Sequence, residues 1–182
     1  MTCIVGILDK GSNRVIIGGD SASSAGYNMT IRRDAKVFKN GEFVIGGTTS
    51  FRMIQLLRFS FKPPEIKVND IYEYMCTDFI DAVRACFKNG GFMRKDSDNL
   101  EMGGMFLVAR KDRLFKVDND FQVAESMNGT DAVGCGADFA LGALFLLSEQ
   151  NISVHDKVLK SLEAAEFLAS GVKRPFLTIS TD

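Results

Sequence analysis

The chain has 182 residues, 46% of them hydrophobic, and its 22 lysines and arginines nearly balance its 23 aspartates and glutamates. That length fits a single domain with one core, and a net charge of −1 gives no electrostatic footing for nucleic acid or an anionic membrane surface. No apolar run reaches the ~18 residues of a membrane-spanning helix, and no basic segment followed by an apolar one opens the chain, so a cytoplasmic protein is expected.

Residues 2–9 and 14–20 read as two strands joined by a turn at Lys10-Gly11-Ser12-Asn13, apolar on both faces and therefore covered twice. Gly6, Gly18 and Gly19 would let neighbouring layers approach closely. Ala35–Lys39 and Glu42–Gly47 read as a hairpin around Asn40-Gly41, the strongest short-range hairpin signal. A helix is expected over Phe51–Phe59, ending before Pro63-Pro64. A longer one starts from an Asn69 cap, with Met75, Phe79, Val83 and Phe87 on one stripe, and stops at Gly90-Gly91.

Lys88 to Gly104 reads as a Gly-rich, charged rim loop; its Asp96-Ser97-Asp98-Asn99 run has too few regularly spaced oxygens for a cation loop. Strands return at Met105–Ala109, Leu114–Val117 and Phe121–Val123, with Asp118-Asn119-Asp120 as a turn, and then at Asp131–Gly136. The helix around Phe139–Leu147 is apolar nearly all round and is expected to be buried, within the chain or against another copy of it. A helix over Val154–Ser170, closed by Gly171, would turn Val158, Leu162, Ala165 and Leu168 inward, and Pro175–Ser180 would be the last strand. Strands, helices, strands, helices and a strand in that order suggest an α+β layered fold: two facing sheets coated outside by helices.

The cysteines, Cys3, Cys76, Cys86 and Cys135, form no C-x-x-C pair, which argues against a thiolate metal site or redox motif. The single histidine, His155, follows the helix-capping residue Ser153 and reads as a first-turn surface residue. That leaves an amine as the natural base. Thr2 follows the initiator Met1, and trimming of Met1 would place a hydroxyl and an α-amino group on one residue: a nucleophile with its own base, titrating at about 7.7 to 8.0 when unperturbed.

Several motifs together resemble the proteasome β subunits and their bacterial relatives, which are N-terminal nucleophile (Ntn) hydrolases. They are the opening Thr2-Cys3-Ile4-Val5-Gly6, the second strand ending in Gly19-Asp20-Ser21 with Ser24-Ala25-Gly26 beyond, Asp34-Ala35-Lys36-Val37, Gly46-Gly47 and Gly134-Cys135-Gly136. The opening looks like that of the two-ring bacterial peptidase that works with a heat-shock unfoldase. The resemblance covers most of the chain and implies a four-layer αββα sandwich. It also implies a threonine peptidase that cleaves amide bonds through an acyl-ester on Thr2 and needs no metal or organic cofactor.

By that resemblance Lys36 keeps the Thr2 amine neutral and Asp20 holds Lys36 charged and oriented. An ungapped count puts the backbone donor of the oxyanion hole at Ser50, and a small shift puts it at Gly47. Cys135 stands where the family has a Ser beside the nucleophile. The family's late carboxylate falls at Phe167 and its Ser at Ser170, so the acid is missing there, although Glu166 is adjacent. The same count lines the substrate pocket with Ser23, Asp34, Phe38, Thr48, Arg52 and Leu56, with an Asp34–Arg52 pair cancelling its charge.

The resemblance further implies peptide or unfolded-protein substrates, a homo-oligomeric ring that hides the nucleophiles, and a separate ATPase unfoldase for folded substrates. Two alternatives stay open at this point: a non-catalytic ring or scaffold subunit of the same fold, and an Ntn amidase acting on a small amide metabolite.

Overall fold

Two antiparallel sheets dominate the computed structural model, which describes residues 1–96 and 99–182. In chain order the elements begin with β1 (Ile4–Asp9), β2 (Arg14–Gly19), β3 (Ala22–Ala25), β4 (Asn28–Ile31), β5 (Val37–Asn40) and β6 (Phe43–Gly47). Helix α1 (Phe51–Gln55) follows and runs on as a π-helical turn over Leu56–Ser60. Next come α2 (Ile71–Tyr74), a second π-helical turn (Met75–Phe79) and α3 (Ile80–Asn89) in one continuous rod. The second half holds β7 (Arg94–Asp96), β8 (Asn99–Glu101), β9 (Phe106–Arg110), β10 (Arg113–Val117), β11 (Val123–Glu125), β12 (Thr130–Val133), α4 (Ala137–Leu147), α5 (Val154–Leu168) and β13 (Leu177–Ser180).

The first sheet has the order β12-β1-β2-β13 and the second β11-β10-β9-β6-β5. Between them lies an apolar layer that includes Ile4, Val15, Ile17, Val37, Val44, Leu107 and Leu114. Outside the second sheet, Phe43, Ile45, Phe106, Val108 and Phe115 pack on Met53, Leu57, Met75, Phe79, Val83 and Phe87 of the helices. Outside the first, Cys3, Val5 and Ile7 pack on Ala140, Leu144, Val158, Leu162 and Ala165 of α4 and α5. The four layers are α, β, β and α, because both faces of each sheet are apolar and each must be covered.

Close approach of these layers depends on missing side chains. A Cβ at Gly6 would stand 2.8 Å from a Leu114 methyl of the facing sheet, and one at Gly18 would stand 2.5 Å from Val158 of α5. The Asn40-Gly41 turn forms as the dipeptide dictates, with Gly41 at a φ of +58°.

Some elements depart from the sequence reading. The N-cap of the long helix is Asp70, whose carboxylate accepts from the Tyr72 N–H, not Asn69. The hairpin of β3 and β4 lies where no strand is expected; β3 is four small residues, and although Met29 and Ile31 alternate with Asn28 and Thr30 in β4, all four are exposed and the element is too short for that alternation to stand out. β7 and β8 form a short hairpin within the expected rim loop, whose centre, Ser97 and Asp98, lies outside the described residues.

Of the two covers expected for α4, the chain itself supplies only part. Only Ala140 and Leu144 are buried, while Phe139, Phe145 and Leu146 are 40%, 79% and 71% exposed. Leu168 at the end of α5 is likewise turned outward rather than inward, beside exposed Phe167. The helix does not lose its apolar character; the first sheet and α5 cover one face of it, and nothing among the described residues covers the other.

Candidate active site

The first strand carries Thr2 into the groove between the sheets, where it is 3% exposed. Its carbonyl is held by the bend that follows β12: the Gly136 N–H donates to Thr2 O at 3.3 Å and Cys135 Sγ donates to it at 3.5 Å. Gly134 makes that bend possible, with a φ of +102° and a position at which a Cβ would stand 2.2 Å from Thr2 O. Only glycine satisfies both constraints.

Asp20 follows β2 and Lys36 precedes β5, so the two sheets bring them together from separate layers. Lys36 Nζ donates to Asp20 Oδ1 at 2.8 Å and to Thr2 Oγ1 at 2.9 Å. The pair is closed to solvent, with side chains 1% and 0% exposed. Asp20 is satisfied further by backbone donors: Cys3 N–H at 3.0 Å on Oδ1, and Ala22 N–H at 2.9 Å and Lys173 N–H at 3.3 Å on Oδ2. A buried carboxylate with that many donors is fixed in place, and it fixes the lysine. Burial pushes the Lys36 ammonium below the ordinary lysine range, with the Asp20 carboxylate pulling the other way. Burial, helped by the Asp20 charge, pushes the Cys3 thiol up to about 12, so that cysteine is an inert core residue.

The structure thus brings Thr2, Asp20, Lys36 and Cys135 into one site. It gives Gly47 and Ser50 other work: the Gly47 N–H donates to Lys36 O at 3.0 Å and the Ser50 N–H to Thr48 O at 2.7 Å, so neither points a free donor at Thr2. Between them Thr49 has a φ of +65°, and its N–H has no hydrogen-bond partner among the described residues. Ser50 instead caps α1, its Oγ accepting from the Met53 N–H. Glu166 pairs with Arg174 through Nε at 2.7 Å and its backbone N–H at 3.0 Å, and Phe167 points to solvent, so no late carboxylate takes part here.

A cleft of about 120 Å³ opens beside Thr2, walled by Met1, Ser23, Ser24, Thr49, Phe51 and Ile54, with Lys36 also in its lining. Of the six residues expected to line the substrate pocket, Ser23 alone lines this cleft. Phe38 and Leu56 face the helical side of the second sheet and are buried in its core. Thr48 is buried too, its hydroxyl donating to Met105 O at 2.9 Å. Asp34 pairs with Arg32 rather than with Arg52, and Arg52 is exposed on α1.

The cause is register: the chain turns sharply at Thr49. Helix α1 then presents Phe51 and Ile54, three residues apart on one face, instead of Arg52 and Leu56. Ser24, Thr49, Phe51 and Ile54 are the site residues that sequence reasoning misses. The Gly-Cys-Gly motif signals Gly134, whereas nothing local signals Thr49, whose conformation is left-handed without being glycine.

No protein-family model matches the chain. It is 27% identical over 164 residues to the ATP-dependent protease subunit HslV of Campylobacter concisus, an alignment covering 86% of this chain and 85% of that one. Among solved structures, BPH of Thiobacillus denitrificans in complex with epoxomicin superposes with a TM-score of 0.84 at 17% identity, covering 100% of this chain and 98% of that one. Eukaryotic HslV from Trypanosoma brucei superposes with a TM-score of 0.70 at 19% identity, covering 98% of each chain.

Proposed function

We infer that this chain, which belongs to the proteasome β-subunit-like Ntn hydrolases, is a threonine peptidase whose nucleophile is the Thr2 hydroxyl. The observation that carries the assignment is the buried Lys36–Asp20 pair with its ammonium 2.9 Å from Thr2 Oγ1. A lysine in a solvent-free site with one fixed carboxylate and one hydroxyl has no evident structural purpose that an apolar residue would not serve better.

While Met1 acylates Thr2, the residue has a hydroxyl but no amine. Once Met1 is removed, the hydroxyl attacks the substrate carbonyl and its proton passes to the α-amino group. The Lys36 charge disfavours a second cation beside it and so keeps that amine neutral at working pH. Oxyanion charge on the tetrahedral intermediate is met by the Thr49 N–H, the donor left free in the loop that walls the cleft. The amine then gives its proton to the departing amine of the substrate, leaving an ester on Thr2 Oγ1. Water, deprotonated by the same amine, hydrolyses the ester and restores the site. Cys135 and Gly136 hold the Thr2 carbonyl throughout and so aim the hydroxyl.

The HslV relatives are named as ATP-dependent protease subunits. We carry over to this chain a homo-oligomeric ring of cytoplasmic subunits, fed by a separate ATPase. The uncovered face of α4, with Phe139, Phe145 and Leu146, supports association with further copies. Among the described residues, no helix is long and apolar enough to cross a membrane.

Thr2→Ala tests the assignment. The variant is expected to fold, because Thr2 contributes little to the core, and to lose peptide hydrolysis to background. Retained turnover would overturn the proposal.

A further inference from the structure

One of the three backbone donors on Asp20 comes from outside the strands. Cys3 and Ala22 stand where β1 and β3 begin, whereas the Lys173 N–H that reaches Asp20 Oδ2 at 3.3 Å belongs to the link between α5 and β13. That link lies along the end of β2: the Ser21 N–H donates to Lys173 O at 2.9 Å, and Ser21 Oγ donates to Pro175 O at 2.7 Å.

Glu166, near the end of α5, ties the link to a rigid element. Its Oε1 accepts from the Arg174 N–H at 3.0 Å and its Oε2 from Arg174 Nε at 2.7 Å, and its side chain is only 13% exposed. The Arg174 N–H and the Lys173 carbonyl are the two ends of one planar peptide unit, so Glu166 and the Ser21 N–H grip that unit from opposite sides. Helix α5 is itself anchored in the core by Val158, Leu162 and Ala165. Glu163, three residues earlier, is half-exposed and reaches only the Arg174 guanidinium, at 3.8 Å. An exposed ion pair of that kind holds little in place, whereas a charged acceptor on a backbone N–H fixes the main chain. None of these bonds involves Met1.

We propose that Glu166 is a positioning residue for the Thr2 site: by clamping the Lys173–Arg174 peptide it sets the Lys173 N–H against Asp20, and Asp20 in turn sets Lys36 at the nucleophile. The inference rests on the peptidase assignment above and extends it to a residue that lies outside the cleft and touches neither Thr2 nor Lys36. Without the clamp the Lys173 N–H shifts, Asp20 loses a fixed donor, and the lysine loses the geometry that places Nζ 2.9 Å from Thr2 Oγ1.

Glu166→Ala and Glu163→Ala, compared on the Met1-free protein with one peptide amide, test the proposal. Each takes one carboxylate from Arg174 and puts the best helix former into α5, so both are expected to fold. In Glu166→Ala kcat is expected to fall about tenfold or more with KM within about twofold, because substrate contacts are untouched while the nucleophile loses its set distance. The acid limb of the kcat/KM–pH profile, which reports the Thr2 amine, is expected to move to higher pH as Lys36 is held less firmly beside it. The titratable groups around Lys36 are Asp20, Cys3 and Cys135, all of them kept in both variants. Loss of a negative charge by itself would move the limb the other way, and loss of stability by itself would not move it. Glu163→Ala is expected to match wild type in kcat and in profile. Glu166→Met, which keeps the length of the side chain without its oxygens, is expected to behave as Glu166→Ala, and Glu166→Gln, which keeps an acceptor for the Arg174 N–H, to recover most of the loss. If Glu166→Ala and Glu166→Met turn over with the kcat and acid limb of Glu163→Ala, the proposal is overturned and the peptidase assignment stands. Wild type with neither turnover nor an adduct on Thr2 from a peptidyl electrophile overturns both.

Discussion

Lys36 reaches Thr2 because Asp20 has no freedom of its own: three backbone N–H groups and one ammonium occupy its two oxygens. Lys36→Ala should therefore cost activity by roughly a thousandfold or more, since both the poise of the amine and the site's positive charge go with it. It should also cost about 3 kcal/mol of stability, because a buried carboxylate loses its counter-charge. Peptidase assays with chemical denaturation check both, and near-normal turnover would make the lysine structural.

Cys3, next in the chain, gives a pH signature. Its folded-state pKa of about 12 lies above the ordinary 9.0, so the folded protein keeps a proton that the unfolded chain releases. That contribution is complete below pH 9 and is lost as pH rises from 9 toward 12. Tyr74, also pushed up to about 12 by burial, acts in the same direction, and Lys36, pushed down, opposes them. Urea midpoints between pH 8 and 11 should fall with pH, and less steeply in Cys3→Ala.

At the scale of elements, the bend after β12 carries as much of the site as the strands do. Gly134→Ala would combine a strained φ with a clash against Thr2 O, so the bend must open and the Thr2 carbonyl must move. The expected outcome is a drop of about 2 kcal/mol or more in stability and a loss of turnover beyond that of any surface glycine substitution. Thermal melts and kinetics on the variant read both effects.

How much was legible in the sequence divides along the same line. Burial on both faces left β1 and β2 as continuous apolar runs, and burial on one face left the stripe Met75, Phe79, Val83 and Phe87 at helical spacing, so the hairpin, the helix and the layer order could be read from them. The Thr2, Asp20 and Lys36 set was visible as a resemblance in register. The pocket was not, because its walls depend on one left-handed residue, Thr49, and on the hairpin β3–β4, whose four-residue strands are too short and, in β4, too exposed to leave a burial pattern. A one-residue change at such a turn rotates every following helical side chain by about 100° and exchanges one lining face for another.

At the scale of the molecule, the proposed assembly rests on α4. A helix with Phe139, Gly142, Phe145 and Leu146 on its outward face is costly to leave in water and is the site where copies should meet. Size-exclusion chromatography with light scattering should give a mass several times 20.0 kDa, and a Phe145→Asp, Leu146→Asp variant should fall toward the single-chain mass. A wild-type monomer that keeps full peptidase activity would remove the ring from the account. The four-layer sandwich would be unaffected, since its own core is complete without α4's outer face.

All of this chemistry turns on whether the amine of Thr2 is free. Intact-mass spectrometry of the active fraction, taken before and after reaction with a peptidyl electrophile, reads it directly. The account predicts a chain that begins at Thr2 and gains one adduct mapped to that residue, with activity lost in proportion. An active fraction that retains Met1, or that carries its adduct elsewhere, would contradict it.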